Sequence, residues 1–197
     1  IIPGTLSWST LFLVVISSIF IPTAIAVFII LFDIYWLFKT LYLGLHLKTS
    51  YAKMRENLKT DWLDKLSSCR WEDIYHLVIL PMYKEPYEIV KDSFESLKKN
   101  NYPKDKLIVV LATEERAGEE TRGIAGKIAM EFRNDFFKVL ITRHPQNLPG
   151  ELPGKGSNTA WAAKEAKKLI DELKIPYEKV LVSVFDADTQ VGPEYFG

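Results

Sequence analysis

The chain has 197 residues with 25 basic and 25 acidic side chains, so its formal net charge is zero. With no excess of Lys and Arg and no basic stripe, the composition argues against a nucleic-acid-binding surface. Cys69 is the only cysteine, which excludes an intrachain disulfide, fits a reducing compartment and reads as an ordinary residue.

The neutral average hides an asymmetry. Within residues 1–47, His aside, the only acid and base are Asp33 and Lys39. This divides the chain into a transmembrane segment over residues 1–47, an amphipathic linker over 48–73, and a soluble part over 74–197 long enough to bury one core. The first residue is Ile, and Gly197 follows directly on an aromatic-rich stretch; the chain reads as the N-terminal fragment of a longer protein.

Residues 11–32 are uncharged and exceed the length at which a membrane span is the default reading. One helix over 1–47 would be roughly 70 Å long, more than twice the hydrocarbon thickness. Two spans are therefore expected, over about 6–21 and 23–43, joined by a turn at Pro22; one kinked span is the alternative. Lys39, Lys48, Lys53, Arg55 and Lys59 follow the second apolar stretch and place that end in the cytoplasm by the positive-inside tendency. The expected location is the inner membrane, multi-pass, with the soluble part cytoplasmic. Tyr51, Met54, Leu58, Trp62 and Leu66 then recur at helical spacing, either on the membrane surface or packed on the soluble part.

Residues 76–81 (His-Leu-Val-Ile-Leu-Pro) form a short apolar run typical of a parallel strand covered on both faces. Ile89, Val90, Phe94 and Leu97 mark a helix with Pro86 near its start. A second strand is expected over 107–111. Ile124, Ile128, Ala129 and Phe132 mark a helix weakened by Gly123 and Gly126, and a third strand over 139–142 follows. A Pro/Gly-rich loop over 144–156 leads to a helix lined by Trp161, Ala166, Leu169, Ile170 and Leu173, and then to a fourth strand over 179–185. Such alternation specifies an α/β fold with a parallel sheet and ligands at the carboxyl ends of its strands.

Polar residues follow each strand. Asp186 and Asp188, two apart in an extended segment, would point to one side and face a divalent cation together, or divide cation and ribose between them. Lys155 lies between Gly154 and Gly156, before a helix whose cap is Ser157 or Asn158, a setting suited to phosphate. Glu114 or Glu115 can accept from a base or ribose. The bland alternatives are a solvated acidic loop end and a surface lysine in a turn. His76 and His144 read as structural or incidental.

Together these residues resemble the donor-binding half of the processive family 2 glycosyltransferases, which include cellulose, chitin and hyaluronan synthases. The match covers about residues 76–197. It rests on a Pro-x-x-x-Glu turn (Pro81 to Glu85), an acid after strand two (Glu114 or Glu115), a Lys-containing helix start (Gly154 to Asn158) and a D-x-D (Asp186, Asp188). The resemblance implies a GT-A fold, with Tyr83 and Glu85 near the nucleoside, Glu114 at base or ribose, Lys155 and Asn158 near the diphosphate, and Asp186 and Asp188 at ribose and a Mg²⁺ or Mn²⁺ ion. It further implies an inverting enzyme that transfers sugar from a nucleotide-sugar donor, a UDP-sugar, to a glycan or lipid acceptor at the membrane. Thr113-Glu114-Glu115 stands where the family carries paired Asp residues, and the carboxylate base is expected beyond Gly197, which implies donor binding without transfer. Two other readings compete: a P-loop NTPase, opposed by the wrong Walker A spacing around Gly150, Gly154 and Lys155, and a non-catalytic membrane scaffold.

Overall fold

Proline has no backbone N–H to donate and its fixed φ suits the first helical position, so it opens a helix more readily than it sits within one. In the computed structural model, which describes residues 2–196, α1 covers Ile2–Phe20 and α2 covers Pro22–Asn57. Ile21 lies between them at φ −134° and ψ 56°. The break thus falls at Ile21, and Pro22 begins the second helix instead of forming the turn. At the α-helical rise, α1 is about 28 Å long and α2 about 54 Å. Both are long and apolar enough to cross a membrane, and none of their described residues is buried. A helix that is apolar all round must be buried in protein or lipid.

α2 runs unbroken through Asn57. The amphipathic stretch expected as its own helix from residue 48 therefore begins inside α2, because nothing between residues 44 and 57 stops helix propagation. The chain divides after Thr60. A one-turn helix α3 (Trp62–Leu66) follows, capped by Asp61, whose carboxylate accepts from the Asp64 N–H at 2.9 Å.

The second unit is built on four parallel strands, β1 (Tyr75–Pro81), β2 (Leu107–Glu114), β3 (Lys138–His144) and β4 (Val180–Val184), in the order β3-β2-β1-β4. Helices α4 (Tyr87–Lys99), α5 (Glu119–Phe132) and α6 (Lys155–Glu172) make the crossovers. Alternate strand residues feed two cores. Val78, Leu80, Val109 and Leu111 pack with Val90, Phe94 and Leu97 of α4 and Ile128 and Phe132 of α5. Leu77, Ile79, Ile108 and Val110 pack with Ala162, Ala166 and Ile170 of α6. The period-two alternation of side chains places α4 and α5 on one face and α6 on the other.

The chain steps from β1 to β2 to β3, then returns through α6 to place β4 on the far side of β1. Such a reversal of strand order opens a crevice at the carboxyl ends of the strands. The segment after β4 is held there by α4. Ser93 Oγ donates to the Ala187 carbonyl at 2.7 Å, the Val191 N–H donates to Ser96 Oγ at 3.1 Å, and Asn100 Nδ2 donates to the Gly192 carbonyl at 2.9 Å.

Candidate functional site

A cleft of about 350 Å³ lies at this carboxyl edge, lined by Pro81, Met82, Tyr83, Glu85, Glu114, Arg116, Lys155, Asn158, Asp186, Ala187 and Asp188. All eight residues singled out in the sequence as donor or cation ligands stand in this one wall: Pro81, Tyr83, Glu85, Glu114, Lys155, Asn158, Asp186 and Asp188.

The turn after β1 is internally braced. The Met82 N–H extends the pairing by donating to the Ala112 carbonyl at 2.8 Å, and the Tyr83 N–H donates to Glu85 Oε2 at 2.6 Å. Thr121 Oγ1, from α5, donates to the Tyr83 carbonyl at 3.0 Å. Glu85 thus spends one carboxylate oxygen on its own turn, which fixes the direction of Tyr83.

After β2 the choice between Glu114 and Glu115 is resolved by where each side chain turns. Glu114 is 4% exposed and accepts from Arg116 Nε at 2.5 Å. Glu115 turns away: its Oε2 accepts from the Gln146 N–H at 3.0 Å, and Arg143 lies 3.7 Å from its Oε1. Arg116, which the sequence did not single out, bridges the cleft wall. Its guanidinium sits over the Tyr83 ring at 4.7 Å while bonded to Glu114, and that carboxylate raises the guanidinium pKa. A buried carboxylate requires a compensating cation, so a lone acid ending a buried strand was the available signal for a nearby Arg.

α6 begins at Lys155 with Gly154 as its cap residue, in extended conformation. Ser157 Oγ accepts from the Gly154 N–H at 3.2 Å and donates to its carbonyl at 2.9 Å. Ser157 therefore braces the entry from inside the first turn, and neither it nor Asn158 is the cap. No acidic side chain occupies that first turn, so the free N–H groups and positive dipole end at the cleft residue Lys155 are uncompensated by carboxylate from their own helix. Asn158 lies one turn in, buried, with Nδ2 donating to the Ala112 carbonyl at 2.7 Å.

The segment after β4 is a tight turn, the Thr189 N–H donating to the Asp186 carbonyl at 3.0 Å. The expected extended conformation is absent there, because the buried Ala187, held through its carbonyl by Ser93, forces the chain to fold back. Asp186 and Asp188 nonetheless flank Ala187 in the same wall. Asp186 Oδ1 is paired with Lys155 Nζ, both side chains being exposed at 65% and 58%.

Among the described residues, no three or more His, Cys, Asp and Glu side chains gather as an all-protein cation site. Two carboxylates beside a lysine and a helix N-terminus form a different donor set. Mg²⁺-type ions are commonly held by one or two carboxylates, with phosphate oxygens and water completing the octahedron. Asp186 and Asp188 fit an ion that arrives with a diphosphate.

Neither histidine of this unit joins the cleft. His76 is buried against Tyr102 and Phe196. His144 Nε2 lies 2.9 Å from Glu151 Oε2 and meets the Trp161 ring edge-on, bracing a second hollow of about 120 Å³ that shares Glu114 and Arg116 with the cleft. Cys69 is exposed and free. No protein-family model matches the chain, and no curated protein matches it.

Proposed function

We propose that the chain is the membrane-anchored donor-binding part of an inverting glycosyltransferase with a GT-A fold, acting on a nucleotide-sugar, a UDP-sugar by the family resemblance. The acceptor is a glycan or lipid at the membrane. The observation that carries this reading is the gathering of Tyr83, Glu114, Lys155, Asn158, Asp186 and Asp188 around one cleft at the strand-order reversal. The combination suits a nucleoside diphosphate. Tyr83 offers a ring face, Glu114 an acceptor for base or ribose donors, and Lys155 with the α6 N-terminus a seat for the diphosphate.

When bound, a divalent cation supplies charge neutralisation for the departing diphosphate. The protein's own contribution is to hold Asp186 and Asp188 on the turn fixed by Ser93, and to present Lys155 opposite them. In this reading α1 and α2 anchor the unit as a multi-pass pair in the inner membrane, and the basic residues from Lys39 onward favour a cytoplasmic donor cleft by the positive-inside tendency.

Calorimetry of the full chain in detergent with a panel of nucleotide diphosphate sugars and Mn²⁺ tests the reading. A donor-binding protein gives metal-dependent heat with one nucleotide preferred. A scaffold that merely retains the fold gives none.

A further inference from the structure

Asn158 is 1% exposed and lines the cleft. The Ala112 carbonyl can only accept, so the 2.7 Å contact assigns Nδ2 to that side of the amide. Oδ1 is then left buried with no hydrogen-bond partner. Buried acceptors of this kind are rare, and leaving one unmet costs as much as losing a hydrogen bond. Of the other buried, unpaired side-chain atoms among the described residues, those of His76, Asn101, Thr142 and Thr159, none belongs to a residue of the cleft wall. Asn158 alone among them combines an unmet acceptor with a place in the cleft wall.

We infer that Asn158 Oδ1 accepts a hydrogen bond from a hydroxyl of the nucleotide-sugar, on its ribose or its hexose, and so makes the site select ligands that carry that hydroxyl. The inference rests on the donor-binding reading above and changes the part Asn158 plays in it. The diester phosphates of a nucleotide-sugar bring no proton at neutral pH and would repel Oδ1, so the diphosphate falls to Lys155 and the α6 N–H groups. The Lys155 ammonium pairs with Asp186, and no hydrogen bond from it reaches Oδ1. A hydroxyl supplies a proton and can donate onward bonds of its own to nearby acceptors such as Glu114.

The test is a thermodynamic cycle on the full chain in detergent, read by calorimetry with Mn²⁺ present. Wild type, Asn158→Ala and Asn158→Asp are each titrated with UDP, 2′-deoxy-UDP, 3′-deoxy-UDP, a UDP-hexose and pyrophosphate. If the hydroxyl is on the ribose, wild type prefers UDP over one deoxy analogue by on the order of tenfold, and Asn158→Ala erases that preference. If it is on the hexose, Asn158→Ala instead erases the gain of UDP-hexose over UDP. Asn158→Asp keeps an acceptor in place and retains the preference, whatever it loses in stability. Pyrophosphate binds wild type and Asn158→Ala alike.

The inference is overturned if wild type shows neither preference, if the preference survives in Asn158→Ala, or if pyrophosphate binding by Asn158→Ala falls together with that of UDP. The last result would place Asn158 at the diphosphate or its ion. Wild-type protein that binds no nucleotide at all defeats the donor-binding reading itself, a different outcome from binding whose selectivity ignores residue 158.

Discussion

Replacing Lys155 with Met should move three quantities in three directions. Lys155 and Asp186 are paired but more than half exposed, and exposed ion pairs contribute about 0–1 kcal/mol. The melting temperature should therefore shift little. Binding of a nucleoside diphosphate should weaken by about ten- to a hundredfold, because a charge-assisted hydrogen bond to phosphate contributes about 1.5–3 kcal/mol. Binding of Mn²⁺ alone should strengthen by up to about fivefold, since Asp186 is released from a competing ammonium whose pairing has that same exposed-pair magnitude. Thermal denaturation, nucleotide calorimetry and paramagnetic resonance of free Mn²⁺ read the three in turn. Unchanged nucleotide affinity, or Mn²⁺ affinity that falls with the nucleotide's, would refute the placement of Lys155 between Asp186 and an incoming diphosphate.

His76 is buried and its Nδ1 unpaired, and burial holds its imidazole below the usual histidine range. The unfolded chain then binds the proton more readily. Stability is full above the ordinary imidazole pKa near 6.5 and is lost as pH falls toward the lower folded value. Denaturation midpoints between pH 7.5 and 5 should decline in wild type and decline less in His76→Phe; equal slopes would exclude His76 as the cause. Gly118 caps α5 at φ 91° and ψ −177°, with open space where a Cβ would stand. Gly118→Ala should nevertheless destabilise by about 1–3 kcal/mol from backbone strain alone, measured by chemical denaturation, whereas a neutral change would mean that space decides there. Cys69 is exposed, so a membrane-impermeant maleimide should label it in inverted inner-membrane vesicles and leave it unlabelled in intact cells; the reverse pattern would contradict a cytoplasmic cleft.

The two central strands, β1 and β2, were legible because a parallel strand buried on both faces leaves an unbroken apolar run. Residues 76–81 and 107–111 show it; β1 adds only Tyr75 before the first run, and β2 adds residues 112–114 after the second. β2 continues to Glu114 because Thr113 pays for its burial with a bond from Oγ1 to the Thr142 carbonyl, a partner distant in sequence. The site's membership followed from the rule that loops at the carboxyl edge converge. Its wiring did not. Glu114 and Glu115 are indistinguishable as letters, and the choice depends on which of them Arg116, a near neighbour in sequence, turns back to meet and on the residue 146 backbone, which only tertiary packing brings close. The turn at residues 186–189 was equally hidden, since Asp-Ala-Asp is compatible with extended chain until Ser93 claims the Ala187 carbonyl. Ser93 did carry a faint signal: it interrupts the apolar face formed by Val90, Phe94 and Leu97, and a polar residue on a core face must find a partner.

Asp188 offers the most direct trial of the donor cleft, because it lines the wall and, among the described residues, no ion pair holds it as Lys155 holds Asp186. Titrating the full chain with UDP should give saturable heat with Mn²⁺ and little without it, and Asp188→Ala should lose the metal-dependent part while its melting temperature stays near that of wild type. Nucleotide binding indifferent to both Mn²⁺ and residue 188 would contradict a diphosphate and its ion in this cleft.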